Sequence, residues 1–297
     1  MKQIHWQDRF GIGVELIDSA HRQLFDIVEK IMELYVERHE DRFACIEGIK
    51  YFKAYAVKHF AEEEAYMREI RYPGYLVHKR LHDRMKRETL PALEEALYAS
   101  DFSTEAVQRF IGVCTGWLTG HILIEDRAIT GRTSLSFRSV RRDDELSVIQ
   151  AVITRPLEEM FGGDIQYLGR FTGSGGIVDA QYYELTYRSR QREPLRFVLV
   201  IGEPLLLRVA GLMFGIDFYA RDEIVRFALQ EIAQNLIQRA EAGFGEASDL
   251  YQLAGDRFLD HTEYVQTFQD HASGHSLLFG AGQERFALRI DRLPEDG

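Results

Sequence analysis

The sequence holds no apolar run approaching the roughly 18 residues that a membrane-spanning helix needs. Its opening residues, Met1-Lys2-Gln3-Ile4-His5, lack the apolar core of a secretory signal. Cysteine is scarce: Cys45 and Cys114 are the two present, both within helical patterns, so no disulfide framework is expected. A reducing cytoplasm is the compartment that fits such usage. Excess positive charge is missing as well. The formal net charge is −11, which removes nucleic acid from the expected partners because phosphate binding needs a basic face. Internal repeats and low-complexity segments are absent too. What remains is the composition of an ordinary soluble globular protein, 45% hydrophobic and 28% charged, in a chain long enough for two domains.

The two halves differ in periodicity. Apolar residues recur at three- and four-residue spacing over about 18–38, 41–70, 75–98 and 103–129, which predicts four helices. The punctuation between them is short: His39-Glu40-Asp41, then Tyr72-Pro73-Gly74, then Ala99-Ser100-Asp101, with Ser103 placed as an N-cap. Long helices with such connections pack as an antiparallel up-down bundle. The polar, basic stretch after Gly131 is the expected linker. Beyond it come a helix near 145–161 interrupted by Pro156, strands at 164–171, 177–188 and 195–202, helices at about 204–214 and 221–242, and strands near 276–281 and 285–291. The fold expected is therefore multi-domain: an all-α four-helix bundle over 1–132, a linker over 133–143 and an α+β domain over 144–297.

Histidines and acids are distributed over all four predicted helices. His59 and Glu63 are four apart on the second and share a face, as do His78 and His82 on the third. His21 lies near the start of the first. On the fourth, His121 is followed by Glu125 four residues on and Asp126 five on. Regular helical spacing favours Glu125, so spacing alone leaves both acids open. Each pair singly is an ordinary helix-surface feature, and Glu62-Glu63-Glu64 resembles the charge run of a solvated face. The conjunction over four helices is what points to a metal centre, because bundle cores build such sites from inward-facing residues. Two octahedral irons offer twelve positions, and five histidines, two bridging carboxylates and a bridging hydroxide leave one vacant for a small diatomic. The nitrogen-rich set suits Fe(II). His5 and His39 have no partner in the pattern and read as surface residues.

These residues carry a resemblance. Residues 6–130 are similar to the bacterial hemerythrins, through Trp6, Gly13-Val14-Glu15-Leu16-Ile17-Asp18-Ser19-Ala20-His21, His59-Phe60-Ala61-Glu62-Glu63-Glu64-Ala65-Tyr66-Met67, Tyr72-Pro73 with His78-Lys79-Arg80-Leu81-His82, and Trp117-Leu118-Thr119-Gly120-His121-Ile122-Leu123-Ile124-Glu125-Asp126. The resemblance implies two non-haem iron ions with a hydroxide bridge. His78, His82 and His121 would hold one iron and His21 and His59 the other, with Glu63 and Asp126 bridging. It decides for Asp126 over Glu125. It also implies dioxygen as the ligand, with nitric oxide the variant, and no enzymatic role for this half. Phe25, Phe60, Trp117 and Ile122 are candidates for the apolar wall that keeps water out.

The second half resembles the chemotaxis phosphatases of the CheX and CheC families. The match is strongest over 195–242, through Leu195–Gly202, Leu205-Leu206-Leu207-Arg208-Val209-Ala210-Gly211-Leu212-Met213-Phe214-Gly215 and Ala228-Leu229-Gln230-Glu231-Ile232-Ala233-Gln234-Asn235-Leu236-Ile237. In that family an acid and an amide three residues on act on an aspartyl phosphate of a response regulator. Here Glu231 matches the acid, Gln234 stands three on and the asparagine arrives as Asn235. The resemblance implies a phosphorylated receiver domain as partner, and a homodimer formed through this half. Gly162-Gly163-Asp164 lacks the following acid of a cyclase signature, and His271 and His275, separated by Ser273 and Gly274, read as loop. The fused whole reads as an oxygen sensor, against a plain oxygen carrier with a dimerisation domain or a di-iron oxidase.

Overall fold

The computed structural model describes residues 5–37, 42–131, 154, 157, 158, 161, 163–173, 176–189, 193–215, 217–221, 223–243, 251–270 and 275–293. Packing divides the chain into two compact units. One comprises Met1–Ser136, Gly211–Phe218 and Asp222–Ala228; the other comprises Phe137–Ala210, Tyr219–Arg221 and Leu229–Gly297. The expected linker and most of the helix expected near 145–161 lie outside the described residues; residues 154, 157, 158 and 161 are helical.

The first half is helical, in the order α1 (Glu15–Glu37), α2 (Arg42–Glu69), α3 (Tyr75–Arg84), α4 (Leu90–Ala99), α5 (Thr104–His121) and α6 (Arg127–Ile129). Neighbours in sequence pack together, α1 on α2, α2 on α3 and α4 on α5, and α1 also packs on α5. The expected four helices are present, but two are interrupted. Wider π turns at Met85–Thr89 and Ile122–Asp126 join α3 to α4 and α5 to α6. The first has a local cause. Pro91 has no N–H to donate and its ring would crowd the carbonyl four residues back, so the chain widens just before it. Ser103 caps α5, its Oγ accepting from Ala106 N at 3.3 Å. Before α1, Asp18 turns its carboxylate back to accept from Ile12 N at 2.7 Å and Gly13 N at 2.9 Å, and Thr130 Oγ1 donates to Ile12 O. These bonds tie the N-terminal stretch to both ends of the bundle chain. Cys45 and Cys114 are buried, and no described helix is long and apolar enough to cross a membrane.

The second half is α+β, as expected. Six antiparallel strands, β1 (Ile165–Arg170), β2 (Ala180–Ser189), β3 (Leu195–Gly202), β4 (Tyr251–Leu259), β5 (His275–Ala281) and β6 (Glu284–Arg292), form one sheet in the order β1-β5-β6-β3-β2-β4. α7 (Glu203–Phe214) and α8 (Glu223–Gly243) follow β3, and α9 (His261–Asp270) follows β4. β3 is apolar nearly throughout because strands flank it on both sides and its residues are buried. Sequence periodicity misses β4 and α9. Among the described residues β4 is an edge strand paired with β2, and its Gly255-Asp256-Arg257 centre shows no alternation. α9 had a legible start: Asp260 and Glu263 each accept from the other's backbone N–H, a reciprocal N-terminal cap. His275, expected in a loop, opens β5, while 271–274 lie outside the described residues.

One face of the sheet carries a buried ionic cross-link between β3 and β6. Arg289 Nε donates to Asp291 Oδ1 at 2.9 Å, and Arg196 Nη2 reaches Asp291 Oδ2 at 3.4 Å. Asp291 is 1% exposed and Arg289 2%. Removing the acid alone takes a buried counter-ion from two guanidinium groups, so Asp291→Ala is expected to lower stability by about 3–5 kcal/mol. Replacing Arg289 with Met and Asp291 with Leu together should recover most of that loss. Urea denaturation followed by circular dichroism tests it, and an unshifted midpoint for Asp291→Ala would mean the pair contributes nothing.

Candidate metal centre

Four helices bring seven side chains to one buried point. α1 contributes His21, α2 His59 and Glu63, α3 His78 and His82, α5 His121, and the π turn that follows it Asp126. The i,i+4 pairs on α2 and α3 project from one face each, as their spacing requires. The Nε2 atoms of His78, His82 and His121 form a triangle with sides of 3.0–3.2 Å. Glu63 Oε2 stands 3.3 Å from His82 Nε2 and 3.7 Å from both His78 Nε2 and His59 Nε2. Asp126 straddles the site, with Oδ1 3.1 Å from His121 Nε2 and Oδ2 3.2 Å from His21 Nε2. Two groups of donor atoms are thereby close enough to hold a metal ion: Glu63, His78, His82 and His121 in one, and His21, Glu63 and Asp126 in the other. Glu63 belongs to both. His59 lies beside the second group, its ring 4.7 Å from that of His21.

The π turn accounts for the spacing that regular helix geometry cannot. Arg127 N donates to Ile122 O, five residues back, so the backbone is wound more widely there than in an α-helix. In a regular helix a five-residue step would swing Asp126 away from the face of His121. Here both point inward and the two side chains meet at 3.1 Å.

The donors are sequestered from water and poorly satisfied by the protein. His21, His82, Glu63 and Asp126 are fully buried. Both oxygens of Glu63, both oxygens of Asp126 and both nitrogens of His21 make no hydrogen bond; the imidazoles only approach them at ion-pair distance. Burying carboxylates this way costs several kcal/mol unless a cation compensates. Ionisation is arranged accordingly. Burial, with the like charge of His21 nearby, pushes His59 down to about 3, so it stays neutral. Burial also outweighs Asp126 at His121, whose value is lowered. Burial opposes ionisation of Glu63 and Asp126, but the facing imidazoles overcome it and hold both well below the ordinary carboxylate range. Burial likewise works against charge on His78, yet Glu63 and Asp126 together raise it to about 9. Anionic oxygens beside imidazole nitrogens, two of them pushed by burial toward the neutral form, are the donor set that a divalent transition ion takes.

An aromatic wall backs the imidazoles. Phe60 stacks on His82 at 4.2 Å, Trp117 stacks on His121 at 4.3 Å, and the two aromatics meet edge to face. Trp6 covers His21 at 6.3 Å, with Phe25 and Phe10 edge-on behind it. Ile122 is fully buried in the π turn. His5 is a surface residue paired with Glu29, and His39 lies outside the described residues. The Glu62-Glu63-Glu64 run is not a solvated face: Glu63 is fully buried and Glu64 6% exposed. Glu64 is the residue that sequence reasoning passes over, because it sits in a run of three glutamates. In the second half, Glu231, Gln234 and Asn235 lie on α8; the side chains of Glu231 and Asn235 are outside those described, and Gln234 is half-buried.

Residues 12–132 match the hemerythrin HHE cation binding domain. The bacteriohemerythrin of Clostridium acetobutylicum is 34% identical over 128 residues, which cover 41% of this chain and 95% of that protein. The chain belongs to the hemerythrin family. The bacteriohemerythrin of Stenotrophomonas maltophilia is 28% identical over 163 residues, covering 54% of this chain and all of that one. Hemerythrins bind non-haem iron, and the His/Glu cluster here is one that could hold a metal ion. Solved structures similar to the other half are the chemotaxis protein CheX of Vibrio vulnificus (14% identity, TM-score 0.39, covering 49% of this chain and 94% of that one) and a CheC-like protein of a Shewanella species (12%, 0.36, 50% and 96%).

The π turn separates the two acids that spacing left open. Asp126→Asn is expected to weaken Co(II) or Fe(II) binding at least about 100-fold, whereas Glu125→Gln should stay within about tenfold of the parent. Anaerobic calorimetric titration reads both, and equal losses would mean that Asp126 has no privileged place.

Proposed function

We propose that this chain binds dioxygen reversibly at a non-haem di-iron centre held by His21, His59, Glu63, His78, His82, His121 and Asp126, and that it serves as an oxygen sensor. The observation that carries the reading is the pair of buried carboxylates, Glu63 and Asp126. Each spans two groups of imidazoles, and none of their oxygens has a hydrogen bond. Membership of the hemerythrin family supports the choice of iron and of dioxygen. Iron bound there supplies electrons and a coordination position for a diatomic ligand.

The chain's own residues do the rest. Five imidazoles and two carboxylates leave little room for further protein ligands, which suits binding better than the oxidative turnover of carboxylate-rich sites. Phe60 and Trp117 lie flat on the rings of His82 and His121, fixing their planes and keeping water from that side. Trp6, Phe10 and Phe25 close the approach past His21. Exclusion of water matters because solvent protons reaching the centre would favour loss of a diatomic ligand and oxidation of iron held there.

The proposed readout is the second half, and the proposed partner is a phosphorylated receiver domain of a response regulator. Two things support this. The curated relatives are spanned almost entirely by part of this chain, so the remainder is an addition to the oxygen-binding unit. Residues 195–242 resemble the response-regulator phosphatases in sequence, with Glu231, Gln234 and Asn235 on one helix. Nitric oxide is the alternative ligand of the same centre.

Loaded with Fe(II) without air, the protein is expected to take two irons per chain. A visible charge-transfer band should then appear as oxygen is admitted and vanish as it is removed. Direct, irreversible conversion to a stable diferric spectrum would favour an oxidase instead. Signalling has its own test: hydrogen exchange of the deoxy and oxy forms is expected to differ within 140–297. Identical exchange across that range would sink the sensor and leave a carrier.

A further inference from the structure

The imidazole of His82 is held on its outer edge as well as its inner one. Its Nε2 faces the centre, 3.0 Å from His121 Nε2, 3.2 Å from His78 Nε2 and 3.3 Å from Glu63 Oε2. Its Nδ1 lies 3.3 Å from Glu64 Oε1. With Nε2 turned inward as a donor of its lone pair, the ring hydrogen sits on Nδ1 and that N–H donates to Glu64. Phe60 meanwhile lies parallel to the ring at 4.2 Å. Phe60 and Glu64 stand one turn apart on α2, so one presses the face of the ring and the other holds its edge.

Behind Glu64 a line of alternating charge leads outward. Lys86 Nζ donates to the same Oε1 at 3.2 Å and lies 3.1 Å from Asp83 Oδ1, and Asp83 is paired through its other oxygen with Lys79. The His82 side chain is fully buried, that of Glu64 9% exposed and that of Lys86 22%. His82 and Lys86 are also four apart, so an i,i+4 pair on α2 meets an i,i+4 pair on α3 and its continuation. Other inward imidazoles differ: the Nδ1 atoms of His21 and His78 are buried with no hydrogen bond.

We propose that Glu64 is a positioning residue of the metal centre, setting the orientation and donor strength of His82, and that Lys86 tempers it. The inference rests on the reading of the seven residues as a di-iron ligand set. A carboxylate accepting from the far N–H of a ligating imidazole fixes its tautomer and increases the basicity of the nitrogen that faces the metal. A more basic ligand stabilises the ferric state over the ferrous one. Lys86 binds the same carboxylate oxygen and draws part of that negative charge away, so it acts in the opposite sense.

The opposed signs supply the test, made on the full chain loaded with Fe(II) in the absence of air. Glu64→Gln is expected to weaken iron binding, measured against a competing chelator, by about 10- to 100-fold. It should also raise the midpoint potential of the centre. Lys86→Met should keep iron affinity within about threefold and lower the midpoint, because the carboxylate is then unshared. Shifts of the same sign in both variants, or a Glu64→Gln protein matching the parent in affinity and potential, would overturn the role given to Glu64. Should Glu64→Gln fail to fold, the sign of the Lys86→Met shift decides alone. Parent protein that binds two irons while the variants match it removes only this inference. Parent protein that binds none removes the di-iron reading beneath it.

Discussion

Two carboxylates buried in the middle of a helical bundle are the constraint on which the first half depends. Both Glu63 and Asp126 are fully buried, and neither makes a protein hydrogen bond to offset the loss of its hydration. Such groups ordinarily become protonated when buried, yet here the surrounding imidazoles hold both in the charged form. The arrangement is costly for the protein alone and becomes favourable once a cation sits among the donors. Folding and metal binding are coupled through that term. The helices must meet closely enough to bring seven candidate donors together, and a bound ion would offset the charge that they enclose.

The π turn at Ile122–Asp126 shows how far the backbone departs from regularity to meet that demand. A regular helix would have turned Glu125 inward and Asp126 aside. A π turn gives up ideal hydrogen bonding over one turn and gains a shorter acid whose two oxygens face His121 and His21. The widening near Pro91 has a different origin, since there the proline itself forbids the regular ladder. Two similar backbone features thus have separate causes, one chemical and one steric.

The candidate ligands His59, Glu63, His78 and His82 are legible because their spacing is that of the helix they sit on. Asp126 is not, because its place depends on a local backbone irregularity, and the hemerythrin resemblance supplies what spacing could not. Glu64 is invisible for another reason: a run of three glutamates looks like a solvated face, and only the packing of α3 against α2 shows that the third is enclosed. In the second half the buried strands declare themselves through apolar runs, as β3 does. β4 does not, because an edge strand needs no apolar pattern where it meets solvent. Nor can spacing decide between Gln234 and Asn235, which follow Glu231 at three and four residues on the same helix.

Buried charge in the second half throws the metal centre into relief. There Glu184 is met by Arg257 at 2.8 Å and approached by Arg196, while Asp291 is met by Arg289 and Arg196. Each buried acid faces permanent cations supplied by the protein, with guanidinium donors at hydrogen-bond distance. Nothing further is needed to offset the burial, and the network serves to fix strand register. In the bundle the acids face imidazoles instead, groups whose positive charge is conditional and whose neutral form is a ligand. An enclosed acid surrounded by arginine is a structural cross-link; one surrounded by histidine is a candidate site for a cation. That difference in the identity of the partner, more than burial or acidity, is why the same physical cost signals structure in one half and a metal centre in the other.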